Sequence, residues 1–350
     1  MAVTYVPILK AKLGEFQALQ HAVPEVRSRM RPILELVPDP EAARDPLETF
    51  ANRAMDAVPL GHTLTVDCGA LLSARTSRGA TGGPLSRLGD SMGDRGLAMC
   101  PVVRADDSEE QLREAARVNA QHQRGACLRV AIRSYNDSCH VGQIGEALRT
   151  LRLDPEEIDL LVDAGPMPPG VVLSDITDQV MALRTNLARW PWRRECVAAG
   201  AFPKNLTGFP RGQATPVARL DLELWKRVVC RSQGRRPDFG DFGVTHPHMP
   251  IQSRGTPDPN MRYTTSDDWQ VFVYPRVRAG NDDFFTLSRD LVSSPHWTPT
   301  GRQTSWGDEQ LHACATRQRP KAGGGTQWRA WATSHHLAVV TRGLADLVDL

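Results

Sequence analysis

Asp159-Leu160-Leu161-Val162-Asp163 is a short apolar run that stops on a charged residue, with no alternation inside it. Continuous apolar runs of that length are what strands buried on both faces look like. The same unit recurs on either side. Upstream, Cys127-Leu128-Arg129 continues into Val130-Ala131-Ile132, and Cys100-Pro101-Val102-Val103 ends at Arg104. Leu64-Thr65-Val66 ends at Asp67, Pro32-Ile33-Leu34 meets Glu35, and Tyr5-Val6-Pro7-Ile8-Leu9 ends at Lys10. Downstream, Cys196-Val197-Ala198-Ala199 runs into Gly200, and Phe239-Gly240-Asp241-Phe242-Gly243-Val244 supplies an eighth, glycine-rich run.

Helical patterns fill the gaps. Ser108 and Gln111 have capping-box spacing, with Leu112, Ala115, Ala116 and Ala120 following on one face. Val141, Ile144, Leu148 and Leu151 form a stripe at helical spacing, as do Ile176, Val180, Leu183 and Leu187, and again Leu220, Leu224 and Val228. Asp154-Pro155-Glu156-Glu157 reads as a helix start: a capping Asp, Pro in the first turn, and carboxylates at the positive dipole end. Strands alternating with helices demand right-handed crossovers and a parallel sheet. Eight of them predict an α/β fold, a closed (β/α)8 TIM-like barrel with a C-terminal extension; an open doubly wound sheet is the alternative.

Composition agrees. The 350 residues are 41% hydrophobic and 23% charged, enough apolar material for a large core and too much for a disordered chain. Forty-two Lys and Arg against 40 Asp and Glu leave a formal charge of +2, which excludes a uniformly basic polyanion-coating surface but allows a local patch. The seven cysteines (68, 100, 127, 139, 196, 230 and 314) never form a C-x-x-C pair, so neither a disulfide framework nor a structural zinc site is expected. No apolar run is long enough to cross a bilayer, and the start lacks the pattern of a secretory signal. A soluble, cytoplasmic protein is expected.

Two stretches break the rhythm. Residues 73–98 hold seven Gly and Pro, including Gly82-Gly83-Pro84, and read as a long loop; residues 245–260 read as another. Beyond them, Arg262-Tyr263-Thr264 and Trp269-Gln270-Val271-Phe272-Val273-Tyr274 alternate like a hairpin. Short helices, a Gly323-Gly324-Gly325 loop and an apolar helix around Leu337–Leu350 complete the chain. The expected division is a barrel over 1–260 and an extension over 261–350 packed on it.

Several of these segments resemble the beta protein family of bacteria and bacteriophages, named after a T-even phage protein. Tyr5-Val6-Pro7-Ile8-Leu9-Lys10-Ala11-Lys12-Leu13-Gly14-Glu15 resembles the family's opening segment, and Arg31-Pro32-Ile33-Leu34-Glu35 its second strand. Phe239-Gly240-Asp241-Phe242-Gly243 with His246-Pro247, then Arg262-Tyr263-Thr264, are similar to its later elements. The most specific part is the tail: Ser305-Trp306-Gly307-Asp308, Gly325, Trp328-Arg329 and Ser334-His335-His336-Leu337. One departure is Val273-Tyr274-Pro275-Arg276, where an Arg-Gly pair is expected. The resemblance implies a setting of phage–host conflict and names no reaction.

In a barrel, the charged strand ends converge on the carboxyl-terminal rim, where such folds place their active sites. Lys10, Glu35, Asp67, Arg104, Arg129, Asp163 and Asp241 would then ring one mouth. Such a mixed set suits acid/base work, since cations hold some carboxylates ionised while burial raises others. Lys10, Glu35, Asp67 and Asp163 are the candidate catalytic residues. Arg104, Arg129 and Asp241 are candidate ligand contacts, the two arginines because their forked donors match a phosphate or carboxylate. Trp306, Asp308, Trp328, Arg329, His335 and His336 could fold over the mouth and cap a planar or phosphorylated ligand. The plainer accounts are a structural Lys10–Glu35 pair, a backbone-bonded Asp163 before Gly165, and simple packing in the tail.

Other chemistries fail on spacing. Adjacent His335 and His336 diverge and cannot chelate one ion as H-E-x-x-H does, and His246-Pro247-His248 lacks a third ligand. A divalent cation on Glu35, Asp67 and Asp163 is compatible with oxygen-ligand chemistry. No phosphate-binding G-x-x-x-x-G-K-[ST] loop, strand-linked G-x-G-x-x-G or G-x-S-x-G elbow occurs. Arg189-Trp190-Pro191-Trp192-Arg193-Arg194, with Arg227, Arg231, Arg235 and Arg236, interleaves cations and ring faces as single-strand nucleic-acid binders do, although a solvated face explains it equally. The leading expectation is a barrel enzyme acting on a small phosphorylated or nucleotide-like anion. The alternative is a recognition protein that meets a protein partner through the two long loops.

Overall fold

The computed structural model describes residues 4–37, 45–60, 62–73, 83–132, 137–248, 258–275 and 282–347. Eight parallel strands close into a barrel in the order β1 (Tyr5–Leu9), β2 (Ile33–Glu35), β3 (Thr63–Asp67), β4 (Ala98–Val103), β5 (Ala126–Ala131), β6 (Ile158–Pro166), β7 (Arg194–Gly200) and β9 (Asp238–Asp241), which returns to β1. These are the eight apolar runs of the sequence. The closing seam pairs Tyr5 with Phe239 and Pro7 with Asp241. β8 (Ala214–Ala218) leaves the barrel and joins β10 (Asn260–Thr264) and β11 (Asp268–Val273) in a separate antiparallel sheet ordered β10-β11-β8.

Successive strand residues point to opposite faces, so each barrel strand divides its side chains between the interior and the helical layer. Ile8, Ile33, Val102, Cys127, Leu161 and Phe242 fill an apolar waist inside the barrel. Tyr5, Leu9, Leu34, Leu64, Val66 and Phe239 face outward into a larger core under the helices. Both sets are buried, which is why the strands read as unbroken apolar runs.

The helices follow local signals. Ser108 accepts from Gln111 N while Gln111 Oε1 accepts from Ser108 N, a reciprocal cap on the helix Glu109–His122. That helix ends at Gln123, whose φ of 53° is left-handed. Three expectations need correction. Pro84–Gly93 within the expected loop 73–98 is a helix with Pro in its first turn, burying Leu85, Leu88 and Met92; residues 74–82 lie outside the described residues. The start signal at Asp154 produces a single 3-10 turn, Pro155–Glu157, because the apolar run of β6 begins at once. The last helix begins at Gly325 and runs to Asp346, well upstream of Leu337. Residues 249–257 of the expected loop 245–260 also lie outside the described residues.

The helix Gly325–Asp346 lies beside the helix Leu13–Gln20 that follows β1, and it also meets β10. The helix Trp306–Ala315 packs on it as well, and their close approach needs Gly307, since a Cβ there would fall 2.1 Å from the Trp331 carbonyl oxygen. Among the described residues no helix is long and apolar enough to cross a membrane.

Candidate functional site

The carboxyl-terminal mouth of the barrel is a cavity of about 550 Å³. Lys10, Glu35, Asp67, Arg104, Arg129 and Asp163, each from a different strand or its end, line it together. All six continue the inward-facing parity of the waist residues below them: Ile8 leads to Lys10, Ile33 to Glu35, Cys127 to Arg129 and Leu161 to Asp163. Strand closure thus gathers residues that are far apart in sequence.

Arg129 is the hub. Its Nη1 donates to Glu35 Oε1 at 2.6 Å and Asp67 Oδ2 at 2.8 Å, while Nε and Nη2 donate to Asp163 Oδ2 at 2.9 and 2.6 Å. Burial alone would lower this guanidinium's pKa, but Asp163, Glu35 and Asp67 outweigh it and hold the group well above its ordinary range. Arg104 forks onto Asp67 with bonds of 3.1 and 2.7 Å. For Asp67, burial would raise the pKa, yet Arg104 and Arg129 keep the carboxyl below the usual range. Lys10 Nζ donates to Glu35 and to the carbonyl of Pro247, and sits 5.3 Å from the centre of the Phe242 ring.

The carboxylates differ in how fully they are committed. Asp67 Oδ1 also accepts the Gly69 N–H at 2.8 Å, and Asp163 Oδ1 accepts the Gly165 N–H at 2.8 Å. With side chains only 3% and 8% exposed, Asp67 and Asp163 act as anchors for the arginines. Glu35 has no backbone donor among these bonds and is 14% exposed. It is the most exposed of the three carboxylates. Arg104, at 31% exposed, is the most exposed of the three cations at the mouth.

The three carboxylates do not form a cation cage. Arg129 occupies the centre between them, and the described residues contain no group of three His, Cys, Asp or Glu arranged to hold a metal ion. His246 Nδ1 accepts the His248 N–H at 3.0 Å, a local turn contact.

The other expected ligand contacts stand elsewhere, and none of them lines the mouth cavity. Asp241 has outward parity, one residue off that of Gly240 and Phe242. It accepts from Tyr5 Oη at 2.7 Å, Gly243 N at 2.9 Å and His336 Nε2 at 2.9 Å behind the barrel wall. Burial would raise its pKa, but His336 and Arg219 hold the carboxyl below its ordinary value. His336 is itself pushed down by burial, against the pull of Asp241. Its neutral ring donates through Nε2 and accepts the Thr264 hydroxyl at Nδ1, 2.8 Å away. His335 reaches Asp308 Oδ2 at 2.9 Å and the Thr264 carbonyl at 2.8 Å.

Asp308 also accepts from Tyr263 Oη at 3.0 Å and Ser305 Oγ at 2.7 Å. Trp306 stacks on His21 with centroids 4.1 Å apart, and Trp328 stacks on Phe284 at 4.5 Å. Arg329 lies near Gly14 on the neighbouring helix. These residues fasten the C-terminal helices and the small sheet to the outside of the barrel. Their clustering in sequence reflects an interface, where stacking and buried polar pairs do the joining.

The family model described as Beta protein matches residues 5–342, nearly the whole chain. The chain belongs to the Beta protein family. This family member's most specific tail residues are therefore the fasteners just described, while its opening segment carries Lys10 of the mouth. No curated protein matches the chain. Among solved structures it is similar to a tryptophan synthase from M. tuberculosis in an open form, at 13% identity and a TM-score of 0.26, covering 66% of this chain and 72% of that one.

Sequence reasoning missed four participants in the mouth. Phe242 lies beside Lys10 and 5.7 Å from Arg129, and its inward parity with Gly240 was a usable signal. The Pro247 carbonyl, Asp106 and His248 come from loops after the strands, and nothing in their sequence announces the contact.

Proposed function

We propose that this Beta protein family member binds a small polar ligand bearing one anionic group at the barrel mouth, with Glu35 as the proton-exchanging residue and Arg104 and Lys10 as the anion contacts. The observation that carries the reading is the unequal commitment of the ring. Asp67 and Asp163 are saturated by backbone and arginine donors, whereas Glu35 and Arg104 keep exposed edges on the same cavity. Preorganised charges in a partly water-excluded hollow favour acid/base chemistry and stabilise developing charge.

The charge balance limits the ligand. Lys10, Arg104 and Arg129 face Glu35, Asp67, Asp163 and Asp106, so a multiply charged phosphate chain has no surplus of cations to meet there. A ligand with a single carboxylate or a single phosphate ester group fits better. The biological setting we infer is phage–host conflict, as the family resemblance implies.

A panel of carboxylates, sugar phosphates and mononucleotides, titrated by ligand-observed NMR, tests the proposal. A binder is expected whose affinity falls about tenfold or more in Arg104→Gln, while Glu35→Gln alters the pH dependence of binding or turnover. Circular dichroism should show both variants folded. Binding unchanged by either variant would overturn the assignment.

A further inference from the structure

At the opposite, amino-terminal end of the strands lies a second cavity of about 530 Å³. Its charged lining is Arg27, Arg31, Arg124, Arg193 and Arg194 with one carboxylate, Asp159. That carboxylate is already shared, pairing with Arg31 on one oxygen and with Arg193 Nε at 2.8 Å on the other. Arg27 spends its Nη2 on the carbonyls of Leu19, Gln20 and Ala22, which satisfies donors without cancelling charge. Arg31 Nη1 is buried with no hydrogen-bond partner, and the hydrogen bond of Arg194 is a long 3.4 Å contact to Thr4 Oγ1. Burial and then the nearby Arg31 push the Arg194 guanidinium below its ordinary range, outweighing the pull of Asp238 and Asp159.

Leu19, Met30, Ala57, Val58 and Leu64 form an apolar wall, beside the polar Ser28, His62, Thr63, Thr65 and Gln123. We propose that this end of the barrel binds a nucleoside polyphosphate, its phosphates on Arg31 and Arg194 with Arg27 and Arg193 alongside, and its base against the apolar wall. The site is distinct from the mouth, because the apolar waist of Ile8, Ile33, Val102, Cys127 and Leu161 separates them. Guanidinium forks match phosphate oxygens, and an unpaired buried donor gains most from a bound anion. A single-stranded nucleic acid fits less well. Trp190 and Trp192, the ring faces it would stack on, pack on the core, and Trp192 Nε1 donates to the Leu187 carbonyl at 2.9 Å.

Isothermal titration with ATP, AMP, tripolyphosphate and a short oligothymidylate distinguishes the possibilities. ATP is expected to bind, AMP to bind about tenfold more weakly or less, and Arg194→Gln and Arg27→Gln each to weaken ATP about tenfold. Arg104→Gln, at the mouth, should leave ATP affinity unchanged, so a failure here is separable from a failure of the mouth reading. Failure of ATP to bind would overturn the proposal, as would an ATP affinity lowered by Arg104→Gln and untouched by Arg194→Gln. Tripolyphosphate binding as tightly as ATP would remove the base from the assignment. An oligothymidylate that binds more tightly than ATP and responds to Arg194→Gln would replace it with nucleic acid.

Discussion

His336 donates from Nε2 to Asp241 Oδ2 at 2.9 Å, a bond between residues 95 apart in sequence that ties the last helix to the strand closing the barrel. Both groups are fully buried, and Asp241 also anchors Tyr5 on the other strand of the seam. Removing the imidazole leaves a buried carboxylate short of a donor and a Thr264 hydroxyl without its acceptor. His336→Ala is expected to cost about 2–5 kcal/mol in urea unfolding. Crosslinking or hydrogen exchange should show the helix Gly325–Asp346 loosened before the barrel strands. A cost under about 0.5 kcal/mol would show that the bond is dispensable.

Arg129 is surrounded by three carboxylates, so its loss acts through what is left behind. Arg129→Met strands Glu35, Asp67 and Asp163 beside one another in a hollow that excludes much water. About 3–5 kcal/mol of destabilisation is expected from chemical denaturation. Arg129→Lys should recover only part, because an ammonium's three N–H donors radiate from one nitrogen and cannot reach the carboxylates that the guanidinium meets from Nε, Nη1 and Nη2.

Period-two parity explains what the sequence did and did not disclose. Lys10, Glu35, Arg129 and Asp163 lie two residues beyond apolar waist residues, so the ring at the mouth was legible once the strands were recognised. Asp241 sits one position out of phase, and that single step carries it through the wall to His336. The Arg-rich end was equally legible, since Arg194 precedes Cys196 by two and Asp159 precedes Leu161 by two. β8 could not be seen, because Ala214–Ala218 contains Pro216 and is mostly half-exposed, and its pairing with β11 is decided by distant residues. The tail motif named the family through its packing, and packing residues do not reveal a reaction.

Gly307, within the Ser305–Asp308 tail segment, makes a prediction about that packing. A Cβ would meet the Trp331 carbonyl oxygen at 2.1 Å and its carbon at 2.8 Å, both of them backbone atoms that cannot swing aside. The helix Trp306–Ala315 would have to retreat from its partner, breaking the Gly307 N–H bond to Ser334 Oγ at 3.1 Å. Gly307→Ala should therefore lower stability by about 1–3 kcal/mol despite the better helix propensity of alanine. An unchanged or raised melting temperature would show that the two helices can separate freely.

Asp221 gives the pH test. It sits in the first turn of the helix Leu220–Arg231, both carboxylate oxygens are buried with no side-chain hydrogen-bond partner, and burial raises its pKa to about 7 despite Arg219. In the unfolded chain the same carboxyl titrates near 3.8. The folded state therefore holds a proton that the unfolded state gives up. Stability from this group is complete below pH 3.8, falls as pH rises toward 7, and is lost above that. Asp221→Asn cannot ionise, so its melting temperature should gain on the wild type as pH rises through that window and hold a constant lead beyond it. The lead corresponds to a few kcal/mol at most, of the order of 1.4 kcal/mol per pH unit. Melting curves of both proteins from acid to mildly alkaline pH measure it. A lead that shrinks with rising pH would mean that Asp221 is ionised in the fold and paired with Arg219.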